Sequence, residues 1–209
     1  VTGAADDPVL REYARLAPAY DRRWSFYIRA TVRETLRRLG VRPGERVLDV
    51  GCGTGALLRE LAPVPGVTLV GVDASAEMLA VARAKLPAEV GLVRAVAERL
   101  PLPAGAFDAV VSTNSFHFFR DPTAALREMR RVLAPGGRVV ITDWCDDFLT
   151  CRLCDRLLRL VNRAHFRAYR AGECRRLLAS AELPAARVER YKITWLWGLM
   201  TARALKPAS

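Results

Sequence analysis

Five short apolar runs, at residues 46–50, 67–73, 90–94, 107–113 and 138–143, alternate with stretches of helical period. No other feature constrains the fold as much. Strands that read as continuous apolar runs are buried on both faces, and helices between them supply the cover. Such an alternation builds a parallel sheet with crossover helices on either side. The last stretch, about 186–204, reads as two strands with a hairpin near Lys192, placed as an antiparallel edge. The expected fold class is therefore α/β: one doubly wound, mostly parallel, seven-stranded sheet with an antiparallel edge hairpin. At 209 residues the chain is long enough for one well-buried domain and too short for two ordinary ones.

Punctuation residues place the helices. Residues 9–40 read as helical, with Leu36 and Leu39 on an apolar face, Arg33, Arg37 and Arg38 around it, and Gly40 as the stop. Pro43-Gly44 then turns the chain into the first strand. Residues 55–62 resume as a helix up to Pro63. Ser75 is the expected N-cap of a helix running to about Leu86, and Asp121 followed by Pro122 the N-cap and first residue of another. Pro135-Gly136-Gly137 closes that helix. Residues 148–168 and 171–181 complete the set.

The polar residues gather at the carboxyl ends of the strands, where open α/β sheets bind ligands. The first strand runs into "VLDVGCGTGALL", with Gly51, Gly53 and Gly55 at every second position. Glycines admit a ligand to the main chain, and the helix that follows aims its positive end at it. A dinucleotide loop has one more residue between its second and third glycines. Asp49 also argues against a pyrophosphate, which its carboxylate would repel, and for a ligand with positive charge. Asp73 ends the second strand, 18 residues beyond Gly55, placed to accept hydrogen bonds from a ribose diol. A ribose, no phosphate tail and a cationic end together describe S-adenosylmethionine (SAM).

Four stretches, "VLDVGCGTGALL", "VGVDASAEML", "AERLPLPAGAFDAVV" and "ALREMRRVLAPGGRVVI", resemble the successive motifs of the class I SAM-dependent methyltransferases, in particular the ubiquinone/menaquinone-biosynthesis branch. The resemblance covers about residues 10–143. It implies the Rossmann-like methyltransferase fold, with residues 1–44 as an N-terminal helical lid, 45–143 as the SAM-binding core, 144–185 as a helical acceptor-pocket segment and 186–209 as the terminal hairpin. It also implies that Asp49, Gly51 and Gly53 hold the methionine moiety and that Asp73 holds the ribose. Ala74 and Met78 would flank the adenine, the backbone of Ala97 would read its edge, Asn114 would sit by the methionine portion, and Tyr20 matches a lid tyrosine. One position departs from the pattern: Val96 stands where the family usually has Asp or Asn for the adenine amino group.

Methyl transfer needs alignment and water exclusion, and a general base only where the acceptor must lose a proton. His117, after the fourth strand, is the candidate catalytic base, the competing reading being a histidine packed among Phe116, Phe118 and Phe119. Asp143 is a second candidate, or a residue that caps or pairs. Cys145, Cys151, Cys154 and Cys174 fall in the last third, with Cys151 and Cys154 on one helix face. They read as structural thiols, or as a site for zinc or a thiophilic substrate; His165 lies too far along the helix to share an ion. No metal is assigned. Arg152, Arg156, Arg159 and Arg163 recur at helical spacing, continued by Arg167 and Arg170, with Leu153, Leu157, Leu160 and Val161 opposite as a core stripe. The arginines read either as a solvated face or as a surface for anionic headgroups. Trp195-Leu196-Trp197 alternates as a strand facing the core would.

The formal charge is +11, and 30 of the 33 basic residues are arginine. The expected partner is a small-molecule methyl acceptor, lipid-like or aromatic, with peripheral membrane contact through the 152–170 helix; nucleic acid is not expected. Five cysteines without a disulfide-framework spacing point to a reducing, cytoplasmic setting. Two other readings compete: a nicotinamide-type oxidoreductase, which the glycine spacing and Asp49 disfavour, and a non-catalytic RNA- or membrane-binding protein on a methyltransferase scaffold.

Overall fold

A computed structural model of the chain describes residues 8–161, 168–184 and 186–208. Its N-terminal part is not the single helix expected over 9–40. Helix α1 (Pro8–Leu16) gives way to a 3₁₀ turn at Ala17–Ala19, then to a short α2 (Tyr20–Arg23) and to α3 (Ser25–Leu39). Pro18 has no N–H for an unbroken helical ladder, so the chain turns there. Helix α3 ends as expected at Gly40, which takes φ +57° and donates its N–H to Leu36.

The alternating elements follow: β1 (Arg46–Val50), α4 (Ala56–Leu61), β2 (Thr68–Asp73), α5 (Ala76–Arg83), β3 (Gly91–Arg94), β4 (Phe107–Thr113), α6 (Pro122–Val132), β5 (Leu133–Trp144), α7 (Leu149–Val161), α8 (Ala171–Ser180), β6 (Arg187–Lys192) and β7 (Gly198–Leu205). Ser75 caps α5 through Met78 N, and Asp121 caps α6 through Ala124 N. Helix α5 stops short of Leu86, its last turn tightening where Lys85 N bonds Ala82 O ahead of Pro87. Helix α6 ends before the Pro-Gly-Gly segment, which is already extended, because Leu133 pairs with Phe107 at the start of β5.

Two further expectations change. The helix drawn over 148–168 does not reach 168: Tyr169 forms a parallel bridge to Cys145, and its carbonyl accepts from Asp146 N at 2.9 Å. Residues 162–167, with His165, Arg163 and Arg167, lie outside the described residues. Trp195-Leu196-Trp197 is not strand but the bend between β6 and β7, where Thr194 Oγ1 accepts from the N–H groups of Leu196 and Trp197 at 3.2 and 3.0 Å.

The seven strands run in the order β3-β2-β1-β4-β5-β7-β6. All are parallel except β7, which lies antiparallel to both β5 and β6 and forms the expected edge hairpin with β6. Side chains alternate across the sheet into two cores. Leu48 and Val110 face one, with Phe116, Leu126, Met129 and Ile141. Val47 and Val111 face the other, with Leu39, Leu58, Leu61 and Val140. Strand order reverses between β1 and β4, so their carboxyl ends open a crevice between the glycine loop and the loop after Thr113.

Candidate active site

The glycine loop leaves β1 through three consecutive left-handed glycines, Gly51, Gly53 and Gly55, at φ +75°, +52° and +77°. At Gly51 a side chain would also collide with Ser115; at Gly53 a Cβ would meet nothing, because the loop faces open cleft there. Asp73 pins the loop. One carboxylate oxygen accepts from Gly53 N at 2.8 Å and the other from Ser75 N at 2.9 Å. The residue expected to hold a ribose therefore also shapes the backbone of the cradle, and each of its oxygens keeps further lone-pair capacity.

Asp49 lies beneath this loop, almost wholly buried, and its Oδ1 has no hydrogen-bond partner. Burial, helped by the nearby Asp73 carboxylate, pushes its pKa from 3.8 up to about 8. A buried, unpartnered carboxyl is costly unless something completes it. A primary ammonium entering the cleft supplies both the missing donor and the missing charge; a phosphate supplies neither.

The N-terminal helices wall the cleft. Tyr27 of α3 donates to Asn114 Oδ1 at 2.8 Å, and Asn114 Nδ2 donates to Thr31 Oγ1 at 2.8 Å. Asn114 sits at φ +58°, directly after β4, where Asn tolerates the left-handed conformation best among side-chain-bearing residues. These two bonds to α3 fix the orientation of its amide, which keeps one N–H and one lone pair beyond them. Below, Asp21 of α2 accepts from Thr54 Oγ1 at 2.5 Å and from Lys85, fastening the segment that carries Tyr20 to the glycine loop and to the end of α5.

All nine residues expected to bind the cofactor line one cleft: Tyr20, Asp49, Gly51, Gly53, Asp73, Ala74, Met78, Ala97 and Asn114. Ile28 and Val32 of α3, Thr54, Glu98 and the Phe118–Arg120 loop line it too and were not anticipated. Val96 stands half-exposed on the wall beside Ala97, an apolar side chain at the place where the family's carboxylate would be. Glu98 turns one oxygen back to the N–H groups of Arg120 and Asp121.

His117 does not line the cleft. It is buried in the 3₁₀ turn Phe116–Phe118, its ring 3.9 Å from that of Phe118. The same residue is nonetheless half of an acid–base pair: Nδ1 lies 2.8 Å from Asp143 Oδ1, and its backbone N–H bonds Asp143 Oδ2 at 2.9 Å. Asp143, at the end of β5, is fully buried and fixes the ring on both counts. The indole of Trp144 stacks 6.2 Å away, and Trp144 Nε1 donates to the Tyr27 hydroxyl.

Four of the five thiols are buried, and Cys154 is partly exposed. Cys151 is buried against the β6–β7 bend and accepts from Gly198 N at 3.1 Å. Burial pushes Cys145 and Cys174 up to about 12, so they stay protonated and are poor ligands at neutral pH. Among the described residues, no three His, Cys, Asp or Glu side chains gather where an ion would fit. The arginine stripe is partly neutralised: Arg152 and Arg170 both pair with Asp146, at 3.8 and 3.3 Å. Leu153, expected in the core stripe, is exposed instead, because Cys151 supplies the inward face of α7.

Residues 48–141 match the family model described as "Methyltransferase domain". The demethylmenaquinone methyltransferase of Thermus thermophilus is 47% identical over 106 residues, which are 48% of this chain and 47% of that protein. That of Beutenbergia cavernae is 39% identical over 148 residues, 69% of this chain and 58% of the relative. The chain thus spans about half the length of these relatives. In solved structures, the methyltransferase bound to the Trm112 activator of Haloferax volcanii superposes with a TM-score of 0.82, covering 94% of this chain and 98% of the other at 22% identity. That likeness is one of fold.

Proposed function

We propose, from the premise that residues 48–141 belong to the class I SAM-dependent methyltransferases, that this chain binds SAM in the cleft and methylates a small, lipid-like or aromatic acceptor. The observation that carries the reading is Asp49: a buried carboxyl with an unpartnered oxygen, under a loop whose Gly53 faces open space. SAM supplies a methyl group already activated on sulfonium, which the acceptor's nucleophilic atom displaces in line.

The chain's own residues supply the rest. Asp49 takes the ammonium, Asp73 the ribose hydroxyls, and Ala74, Met78 and Val96 an apolar slot for the base. Tyr20 and the Asp21 latch cover the cleft and keep water from it. The acceptor approaches beyond Asn114, where the Tyr27 ring lies 6.4 Å from that of Trp144 and 5.7 Å from that of Trp197. With Asp143 holding the proton on Nδ1, His117 presents Nε2 as the basic nitrogen of its ring, suited to accept a proton from an acidic ring carbon or hydroxyl. The relatives are named demethylmenaquinone methyltransferases, which favours a quinol-type ring with an apolar tail. Five thiols without a disulfide suit a reducing cytoplasm.

Calorimetric titration with SAM, beside Asp49→Ala and Asp73→Ala, tests the cofactor reading. Binding by the wild type and its loss in both variants supports it; a wild type silent at millimolar SAM overturns it. Mass spectrometry of a lipid extract incubated with the protein and methyl-labelled SAM identifies the acceptor.

A further inference from the structure

We propose that the corner of the molecule where α7 begins docks on a bilayer with anionic headgroups. The inference extends the reading of a lipid-like acceptor, but its test is independent of methyl transfer.

Three segments meet at this corner. The Tyr27 ring of α3 lies 5.7 Å from Trp197 and 6.5 Å from Trp24. Trp197 belongs to the β6–β7 bend, and that bend rests on α7: Cys151 bonds Gly198 N, while Lys192 bonds the Trp195 carbonyl and lies 5.6 Å from the Phe148 ring. These segments carry four of the six large apolar side chains most exposed to solvent among the described residues: Trp195 at 79%, Leu149 at 78%, Leu153 at 60% and Phe26 at 55%. Leu149 and Leu153 are one helical turn apart on one face, and Cys151 points the other way into the protein. Exposed tryptophan, phenylalanine and leucine side chains carried by adjoining segments mark a contact surface rather than scattered surface residues.

Charge selects the occupant. Arg22 and Arg23 of α2, Arg156 of α7 and Lys192 are exposed on or next to the segments that carry these side chains. Two acids of the corner are engaged: Asp146 holds Arg152 and Arg170, and Asp147 holds Arg190 and Ala171 N. The chain as a whole carries +11. Apolar tips accompanied by cations fit the headgroup boundary of an anionic leaflet, where aromatic and leucyl side chains insert and arginines meet phosphate. Trp144 and Tyr27 connect the same corner to the His117–Asp143 pair, so an acceptor with an apolar tail would reach the site from the bilayer. The proposal centres the membrane contact expected along 152–170 on the start of α7, where the aromatic and leucine side chains are exposed.

The test is sedimentation of the full chain with vesicles of phosphatidylcholine alone or mixed with phosphatidylglycerol. The mixed vesicles should carry the protein down, and Trp195→Ser with Leu149→Gln and Leu153→Gln should weaken that binding about tenfold or more, with SAM affinity and melting temperature unchanged. In the wild type, lipids brominated in the acyl chain should quench tryptophan emission, and Trp195→Ser should remove most of the quenching. Three results overturn the proposal: no binding to mixed vesicles at low salt, equal binding by the substituted protein, or a concentration-dependent dimer that Trp195→Ser abolishes without any vesicle binding. None of them bears on methyl transfer measured with detergent-dispersed acceptor.

Discussion

Tyr27 and Asn114, 87 residues apart in sequence, are joined by a 2.8 Å hydrogen bond that fixes the N-terminal helix to the end of the fourth strand. The same hydroxyl accepts from Trp144, so one phenol ties three elements together beside the cleft. Tyr27→Phe leaves two polar partners short and should cost about 1–3 kcal/mol of stability. Chemical denaturation followed by circular dichroism measures it. A loss below a few tenths would mean the bond is replaced by water.

On the proposed reading, Asp49 should make cofactor binding depend on pH. Its folded-state pKa is raised from 3.8 to about 8, so the empty protein keeps a proton that the unfolded chain has released over that window. Stability of the empty protein should therefore fall as pH rises through the window, and Asp49→Asn should remove that part of the slope. Pairing with an ammonium requires the ionised form. SAM binding at pH 7 should release a proton, and affinity should rise towards pH 8 by at most about tenfold per unit. Calorimetry in buffers of different ionisation enthalpy reads the proton directly.

The latch at Asp21 should control exchange rather than affinity of the core site. Asp21→Ala removes its bond to the buried Thr54 and its partly exposed ion pair with Lys85, and should destabilise the closed lid by about 1 kcal/mol. Stopped-flow displacement should show SAM leaving several-fold faster, with a smaller change in its arrival rate.

His117 and Asp143 should act as a unit. His117→Gln and Asp143→Asn should each lower kcat by about 10²–10⁴ for an acceptor that must lose a proton, and the double variant should be little worse than either alone. SAM affinity should stay near that of the wild type, because neither residue lines the cofactor cleft. Steady-state rates across pH 5 to 9 would separate a lost base from a merely disturbed fold.

Much of this candidate site was legible because the residues that line it sit close to the strands that announce them. Asp49, Gly51, Gly53 and Asp73 belong to local patterns, and Ser75 and Asp121 cap helices as their sequence neighbours dictate. What escaped depends on contacts distant in sequence. Nothing near Tyr27 marks it as the partner of Asn114, and Asp21 gives no sign that it will meet Thr54. The His117–Asp143 pair was visible only as two separate candidates. The apolar stripe of α7 was read as core because periodicity reports amphipathicity but not which face is inward. The buried position was taken by Cys151, and Leu153 was left outside.

The central claim is that the buried acid beneath the glycine loop receives a cationic nucleoside. A crystal structure with S-adenosylhomocysteine tests it most directly. The account predicts the ligand's amino group within about 3 Å of an Asp49 carboxylate oxygen, its ribose on Asp73 and its base beside Val96. Ligand density elsewhere, or a phosphate-bearing dinucleotide bound across Gly51–Gly55 in its place, would contradict it.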